Sequence, residues 1–365
     1  MLLTAEQKCY LWLSSAEITP GHVQDMVDYY GSVMDIWEAF GKEGGPTFTQ
    51  HPTEVLKRLH SRDAIDGLIE KLERKNVHLL FRTDEKYPSM LESIQDPPYL
   101  LYYAGRLNCL ERPMVGVVGT RKASTYGTEM ASLLSRGLAE AGVCVVSGLA
   151  RGVDRAAHEA VLRAGGYTIG VLGSGINVPY PAEHTQLLRQ IAGGIGLVIS
   201  EYPLDAGPVP FHFPHRNRII SGLSQGVVFV EGRIKSGGMH TVHAALMQGR
   251  EVFAVPGQVG LAGAEGPNAI LREGARIVTS AQDLLEDLGI ERDIPEKKKP
   301  TVRLTDLQKQ LVDQLRIESL NPQELAQRIS ASAGEIITEL GTLEILGVVA
   351  REAGNRFYLP VAARQ

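Results

Sequence analysis

The sequence predicts an α/β protein in which an extended, Rossmann-like, doubly wound core lies between a small helical N-terminal domain and a C-terminal winged helix. Three observations carry this. From about Pro113 to Gly289, short Val- and Ile-rich runs alternate with helical patterns, which is how βαβ units around a parallel, doubly covered sheet read in sequence. Residues 1–80 read as helices alone, and residues 304–365 as three helices followed by a two-stranded ribbon. A length of 365 residues fits several domains rather than one. The expected boundaries are 1–80, 81–290, a linker over 291–303, and 304–365.

Taken in order, helices are expected at Glu6–Leu13, His22–Tyr30, Val33–Phe40, Pro52–His60 and Arg62–Arg74, broken at Thr19-Pro20-Gly21 and Gly31-Ser32. This spacing is similar to helix-hairpin-helix or sterile-alpha-motif bundles. The prolines and aromatics from Tyr87 to Tyr103 suggest an extended lead-in. Strands follow at Met114–Val118, Val143–Ser147, Tyr167–Leu172, Gly196–Ser200, Gly226–Val230 and Glu251–Val255. Helices at Gly127–Ala141, Asp154–Ala164, Glu183–Gln190, Arg218–Leu223 and Thr241–Gln248 lie between them. Three lysines and two prolines make Glu291–Pro300 an exposed linker. Helices at Asp306–Leu315, Pro322–Ile329 and Ala333–Leu346 then precede a hairpin of Val348–Arg351 and Arg356–Leu359, the order of a winged helix.

Composition narrows the function classes. With 44% hydrophobic and 22% charged residues, the chain is neither disordered nor fibrous. A net charge of −5 excludes a protein that coats nucleic acid through global charge, so any polyanion site is a local patch. The 39 glycines point to loops where backbone turns sharply or approaches a ligand. Cys9, Cys109 and Cys144 are too few and too far apart for a disulfide framework or a CxxC metal site. The N-terminus lacks a basic start and a cleavage site, and no apolar run approaches the roughly 20 residues of a membrane span. A soluble, cytoplasmic protein is expected.

In a doubly wound sheet, ligands bind beyond the carboxyl ends of the strands. Gly119-Thr120-Arg121-Lys122-Ala123-Ser124 combines glycine, hydroxyls and bases before a helix start, which makes an anion site. Ser147–Asp154 repeats the design with Arg151 and Arg155. Asp154 and His158 lie four apart, as part of a triad with Ser147 would, but a helix-capping aspartate and a locally bonded histidine are the simpler reading. Gly173-Ser174-Gly175 lacks the third glycine of a dinucleotide fingerprint, its place being taken by Val178-Pro179-Tyr180-Pro181, so no cofactor is expected. Phe211-His212-Phe213-Pro214-His215-Arg216-Asn217-Arg218 mixes aromatics, imidazoles and guanidiniums, the combination that stacks unpaired bases and neutralises phosphates. His212/His215 and His240/His243 have no cysteine or carboxylate cluster beside them, so no metal is expected. Lys235-Ser236-Gly237-Gly238 opens another helix and forms a further phosphate cradle.

Val118-Gly119-Thr120-Arg121, Ser147–Asp154 with His158, Phe213–Ile220, and Gly249-Arg250 through Pro256-Gly257 together resemble the DNA-processing protein A (DprA/Smf) family, over the whole chain. The resemblance implies a non-enzymatic binder of single-stranded DNA that shields it during natural transformation and helps load the RecA recombinase, acting as a homodimer through the core. It also implies that Gly119, Thr120 and Arg121 hold phosphate and Phe213 stacks a base. Arg216, Arg218 and Lys235-Ser236-Gly237 would then line the groove, with Arg151, Asn217 and Gly238 beside them. The chain departs from the family pattern at Gly238-Met239-His240 and at Glu265.

A rival reading is a Rossmann-type nucleotide-processing enzyme, similar to phosphoribohydrolases, acting on a mononucleotide. Its glutamate, expected directly after the glycine-rich loop and threonine, is replaced by Val242 after Thr241. A third reading is a scaffold whose anion loops are vestigial. The third helix of the winged domain carries Glu335, Glu339 and Glu344 and no base, so this domain is expected to contact a protein or its own core rather than duplex DNA.

Overall fold

The computed structural model describes residues 1–291, 304–352 and 354–360. The chain forms two compact units, Met1–Ile294 and Pro295–Gln365. The expected linker lies, from residue 292 to 303, outside the described residues.

The first unit opens with α1 (Ala5–Ser15), α2 (Pro20–Tyr30), α3 (Val33–Ala39), α4 (Gln50–Leu59) and α5 (Arg62–Arg74). A reciprocal capping box between Thr4 and Gln7 starts α1. Pro20 takes the first position of α2, where an N–H would have no partner anyway. Trp12 is completely buried at the centre of the bundle, donating Nε1–H to Leu56 O at 3.0 Å. Trp37 and Phe40 meet its ring edge-on, with centroids 4.9 and 5.1 Å away. This core runs on into the sheet, because Phe81, Leu100, Tyr102 and Val198 belong to the same buried cluster. Ser14 Oγ and the Tyr102 hydroxyl, 3.0 Å apart, complete the join.

The sheet comprises β1 (His78–Phe81), β2 (Leu100–Gly105), β3 (Met114–Val118), β4 (Cys144–Ser147), β5 (Thr168–Leu172), β6 (Leu197–Ser200), β7 (Gly226–Phe229), β8 (Glu251–Ala254) and β9 (Arg276–Ile277). Its helices are α6 (Ser89–Glu92), α7 (Thr125–Glu140), α8 (Val153–Ala164), α9 (Thr185–Gly193), α10 (His212–Leu223), α11 (Gly237–Met247), α12 (Glu265–Arg272) and α13 (Ala281–Leu288). The strand order is β1-β2-β6-β5-β4-β3-β7-β8-β9. From β6 to β9 every pairing is parallel, while β2 joins β6 and β1 in antiparallel register. Alternate residues of one strand serve opposite faces, Leu172 one cluster and Val171 the other, as a sheet covered on both sides requires. The extended lead-in around Tyr99–Tyr103 is β2.

Two differences from expectation matter here. β1 adds an antiparallel edge strand not anticipated from sequence. More consequentially, α10 begins at His212 rather than Arg218, so the aromatic and basic motif is helical. Pro214 falls in the first turn of α10, where its missing N–H breaks no hydrogen bond.

The second unit is a winged helix. Its helices α14 (Asp306–Ile317), α15 (Pro322–Arg328) and α16 (Ala333–Ile345) each begin at a capping box. β10 (Ala350–Glu352) and β11 (Arg356–Tyr358) pair antiparallel, and Leu320 bridges to Phe357. Leu311, Leu315, Leu325, Ile336, Leu340 and Leu343 are completely buried between the helices. Glu339 accepts a hydrogen bond from Gln308 Nε2 at 2.7 Å, and Ile337 and Ile345 are exposed on α16. Among the described residues no helix is long and apolar enough to cross a membrane, and no group of three His, Cys, Asp or Glu is placed to hold a metal.

Candidate nucleic-acid interface

The chain leaves β3 toward β4 and leaves β7 toward β8, in opposite directions across the sheet. The crevice between β3 and β7 is thus the topological switch point, where open α/β sheets bind ligands. A cavity of about 420 Å³ lies there. Gly119, Thr120 and Arg121 enter it from the end of β3, and Phe213, Arg216 and Asn217 from α10. Ser236, Gly237 and Gly238 enter from the start of α11. Residues far apart in sequence converge because each sits just beyond a strand or on the helix that bridges the crevice.

The cradle expected from Lys235-Ser236-Gly237-Gly238 falls on the first turn of α11. Gly237 and Gly238 hold first-turn positions whose amides have no acceptor within the helix, and Ser236 makes no side-chain cap. Asn217 Nδ2 donates to Gly237 O at 3.3 Å and holds this turn against α10. Gly238 is a close approach. A Cβ there would lie 2.7 Å from Phe229 Cε2 and 3.3 Å from Gly119 Cα, so the departure at this position suits its surroundings. Met239 is buried, His240 lines the cavity, and Glu265 opens α12, where a carboxylate complements the helix dipole.

Arg216 is the floor cation. Nearly buried, it donates through Nη1 to Gly148 O at 2.9 Å and to Val171 O. Burial pulls its pKa down to about 10, so it remains charged at neutral pH. Asp154 is its counter-charge. A Cβ on Gly148 would lie 2.7 Å from Arg216 Nη2 and 2.8 Å from Asp154 Oδ2, which explains the glycine. Burial raises the Asp154 pKa, opposed by Arg216 and by the amides of Ala150 and Gly148, which donate to Oδ2 at 3.3 and 3.1 Å. Arg121 lies over the Phe213 ring, its Cζ 5.5 Å from the centroid.

Several expectations are corrected by the geometry. The N-terminus of α7 is not free for a ligand, because Ser124 N–H and Oγ–H donate to Glu231 Oε2 at 2.9 and 3.1 Å. Asp154 does not cap α8, whose N-cap is Gly152; it folds back onto the Gly148 and Ala150 amides instead. Arg151 is outside the cavity lining and clasps Glu183, with Nε and Nη2 donating at 2.5 and 2.8 Å. Arg218 points away from the cavity to Glu201 at 2.6 Å and Asp96 at 3.4 Å. His212 and His215 share that side, facing Glu17 at 3.1 Å and Asp96 at 3.3 Å. Lys235 is exposed, outside the lining. Once α10 is known to be a helix, the division follows from its period: 213, 216, 217 and 220 share the cavity face.

Ser147, Asp154 and His158 form no triad. Ser147 Oγ donates to Val117 O at 2.6 Å, while His158 Nδ1 lies 2.7 Å from Thr168 Oγ1 in the buried core. Burial, reinforced by His184, pushes the His158 pKa down to about 3. The folded state therefore keeps this imidazole neutral where the unfolded chain, with a pKa near 6.5, binds a proton. Stability from this group is present above about pH 6.5 and is lost as pH falls toward 3, with a slope of about 1.4 kcal/mol per pH unit. Urea unfolding of wild type and His158→Gln from pH 6 to 4.5 is expected to show a slope shallower by that amount in the variant. Equal slopes would mean that His158 is not neutral in the fold.

Comparison with known proteins fits this arrangement. Residues 78–289 match the family model of DNA recombination-mediator protein A, and residues 295–355 match the DprA winged helix domain. The chain belongs to the DprA/Smf family. Among its relatives in this family, protein Smf of Escherichia coli (strain K12) is 38% identical over 301 residues, 80% of each chain. DNA processing protein DprA of Bacillus subtilis is 42% identical over 243 residues, covering 64% of this chain and 82% of the relative. The crystal structure of Streptococcus pneumoniae DprA aligns with a TM-score of 0.67 and 34% identity, over 79% of this chain and 99% of that one. A structure of Helicobacter pylori DprA, described for its single-stranded DNA binding mode, aligns at TM-score 0.53 and 30% identity, over 58% and 95%.

Proposed function

We propose that this DprA/Smf family member binds single-stranded DNA in the β3–β7 crevice, shields it, and helps load RecA recombinase during natural transformation, acting as a cytoplasmic homodimer and not as an enzyme. The observation that carries the reading is the convergence in one cavity of the open α11 N-terminus, Arg121, Arg216 and the Phe213 ring. Backbone amides and guanidiniums hold phosphates without reading sequence, and an aromatic face accepts any unpaired base. The Helicobacter pylori relative's single-stranded DNA binding supports the same assignment. The exposed Arg151 and Lys235 would serve the rim, Arg151 after release from Glu183. The winged helix is proposed as a protein-contacting surface, since α16 carries no lysine or arginine and exposes Ile337 and Ile345.

The test is fluorescence anisotropy with single-stranded oligonucleotides of mixed sequence, matched duplexes and a mononucleotide, at several salt concentrations. Single strands are expected to bind preferentially, with affinity falling as salt rises. Arg121→Ala should weaken binding and reduce the salt slope by about one. Binding of the mononucleotide alone would replace this reading with the enzyme.

A further inference from the structure

The segment Val178-Pro179-Tyr180-Pro181 stands where a dinucleotide fold would carry its last glycine, and nothing in the proposed groove uses it. In the structure it brings the Tyr180 ring to Phe213, with centroids 5.2 Å apart and planes inclined by 48°. Phe213 is therefore flanked by Arg121 and by Tyr180. Tyr180 remains 40% exposed despite this contact.

The loop that presents it is pinned at many points. Ser174 Oγ donates to Val178 O at 2.7 Å, and Ser200 Oγ to Ser174 O at 2.8 Å. The amides of Gly175 and Asn177 donate to Ala206 O and Leu204 O, and Asn177 Nδ2 to Asp205 Oδ1 at 2.7 Å. Just beyond Tyr180, His184 Nδ1 is 2.9 Å from Leu149 O. A half-exposed aromatic on so constrained a loop loses little freedom when a planar ligand lands on it. The two rings are not parallel, so one base cannot lie flat on both.

We infer that Tyr180 is a second base-stacking platform, adjacent to Phe213, and that the groove takes two consecutive unpaired bases, one on each ring. This rests on the single-strand reading of the crevice. A strand leaving Phe213 toward Tyr180 then passes Arg151, which clasps Glu183 at the same edge. Stacking is blind to base identity but requires the bases to be unpaired, so the pair of rings discriminates against duplex rather than among sequences.

The experiment places single abasic residues, one position at a time, along an oligothymidylate and measures affinity by anisotropy for wild type, Phe213→Ala, Tyr180→Ala and Tyr180→Phe. Wild type is expected to show two adjacent sensitive positions, each weakening binding roughly 5- to 150-fold. Tyr180→Ala should lose affinity in that range on the intact oligonucleotide, keep the wild-type salt slope, and retain only one sensitive position. Tyr180→Phe should behave as wild type. If Tyr180 merely buttresses Phe213, wild type will show one sensitive position, and Tyr180→Ala will blunt it, which overturns the inference. Wild-type affinity in Tyr180→Ala overturns it as well, while leaving the groove assignment intact. A wild-type protein that binds no oligonucleotide overturns the groove assignment itself, and the inference with it.

Discussion

Replacing Arg216 with alanine is expected to be the most damaging single change in the crevice, for folding and for binding alike. The guanidinium donates to Gly148 O and Val171 O and offsets the buried Asp154 carboxylate. Removing it leaves that carboxylate buried with only the Gly148 and Ala150 amides to hold it and strands two carbonyls, at about 1–3 kcal/mol for each unsatisfied group. The double variant Arg216→Ala/Asp154→Asn removes the stranded charge, so it should regain a large part of the stability. It should not regain DNA affinity, since the floor cation is still missing. Urea unfolding and oligonucleotide anisotropy on both variants separate the two roles. An alanine variant that binds single strands like wild type would remove Arg216 from the interface, whatever its stability.

The second large effect is expected at Trp12. Its side chain is wholly buried against Trp37, Phe40 and Leu56, and Trp→Ala at such a site costs about 3–5 kcal/mol. Because the same cluster continues through Phe81, Leu100 and Tyr102 into the sheet, the loss should be felt by the whole first unit. Trp12 and Trp37 are the only two tryptophans, so in Trp12→Ala the fluorescence of Trp37 follows the bundle alone. Far-ultraviolet circular dichroism follows the sheet and its helices as well. Both probes are expected to shift together to lower denaturant. If fluorescence moves first, residues 1–80 unfold independently of residues 81–290.

The parallel strands β3 to β8 were legible in sequence to within a residue, since a strand buried on both faces reads as a short run rich in Val and Ile, whereas the exposed two-residue strand β9 carries no such run and was not anticipated. β3 was expected at Met114–Val118 and is found there. β1 and β2 were harder, because His78–Phe81 and Leu100–Gly105 are ordinary sequences that become strands by pairing with each other and with β6. Pro214 concealed the start of α10, and with it the period that sorts Phe213, Arg216 and Asn217 from His215 and Arg218. Most of the expected groove residues do meet in one cavity. What no local pattern shows is where the carboxylates come from. Glu231 reaches Ser124 from 107 positions away, Asp96 reaches Arg218 from 122, and Glu183 reaches Arg151 from 32. Each of these partners is supplied by tertiary structure.

The open first turn of α11 has a consequence for how such a site is inherited. Its hydrogen-bond donors are peptide groups, which every residue except proline carries. What keeps them presented to a ligand is the space left by Phe229 and by the Gly119 backbone around Gly238. The information for this part of the site is therefore steric and distributed. Exchanges of exposed side chains around the crevice leave the donors in place, whereas an added methyl group at one glycine must push a strand residue or a loop aside to be accommodated. In this chain, surface charges around the crevice can be lost one at a time without removing a peptide donor, whereas a side chain at Gly238, where the family pattern differs, has to be matched by movement of Phe229.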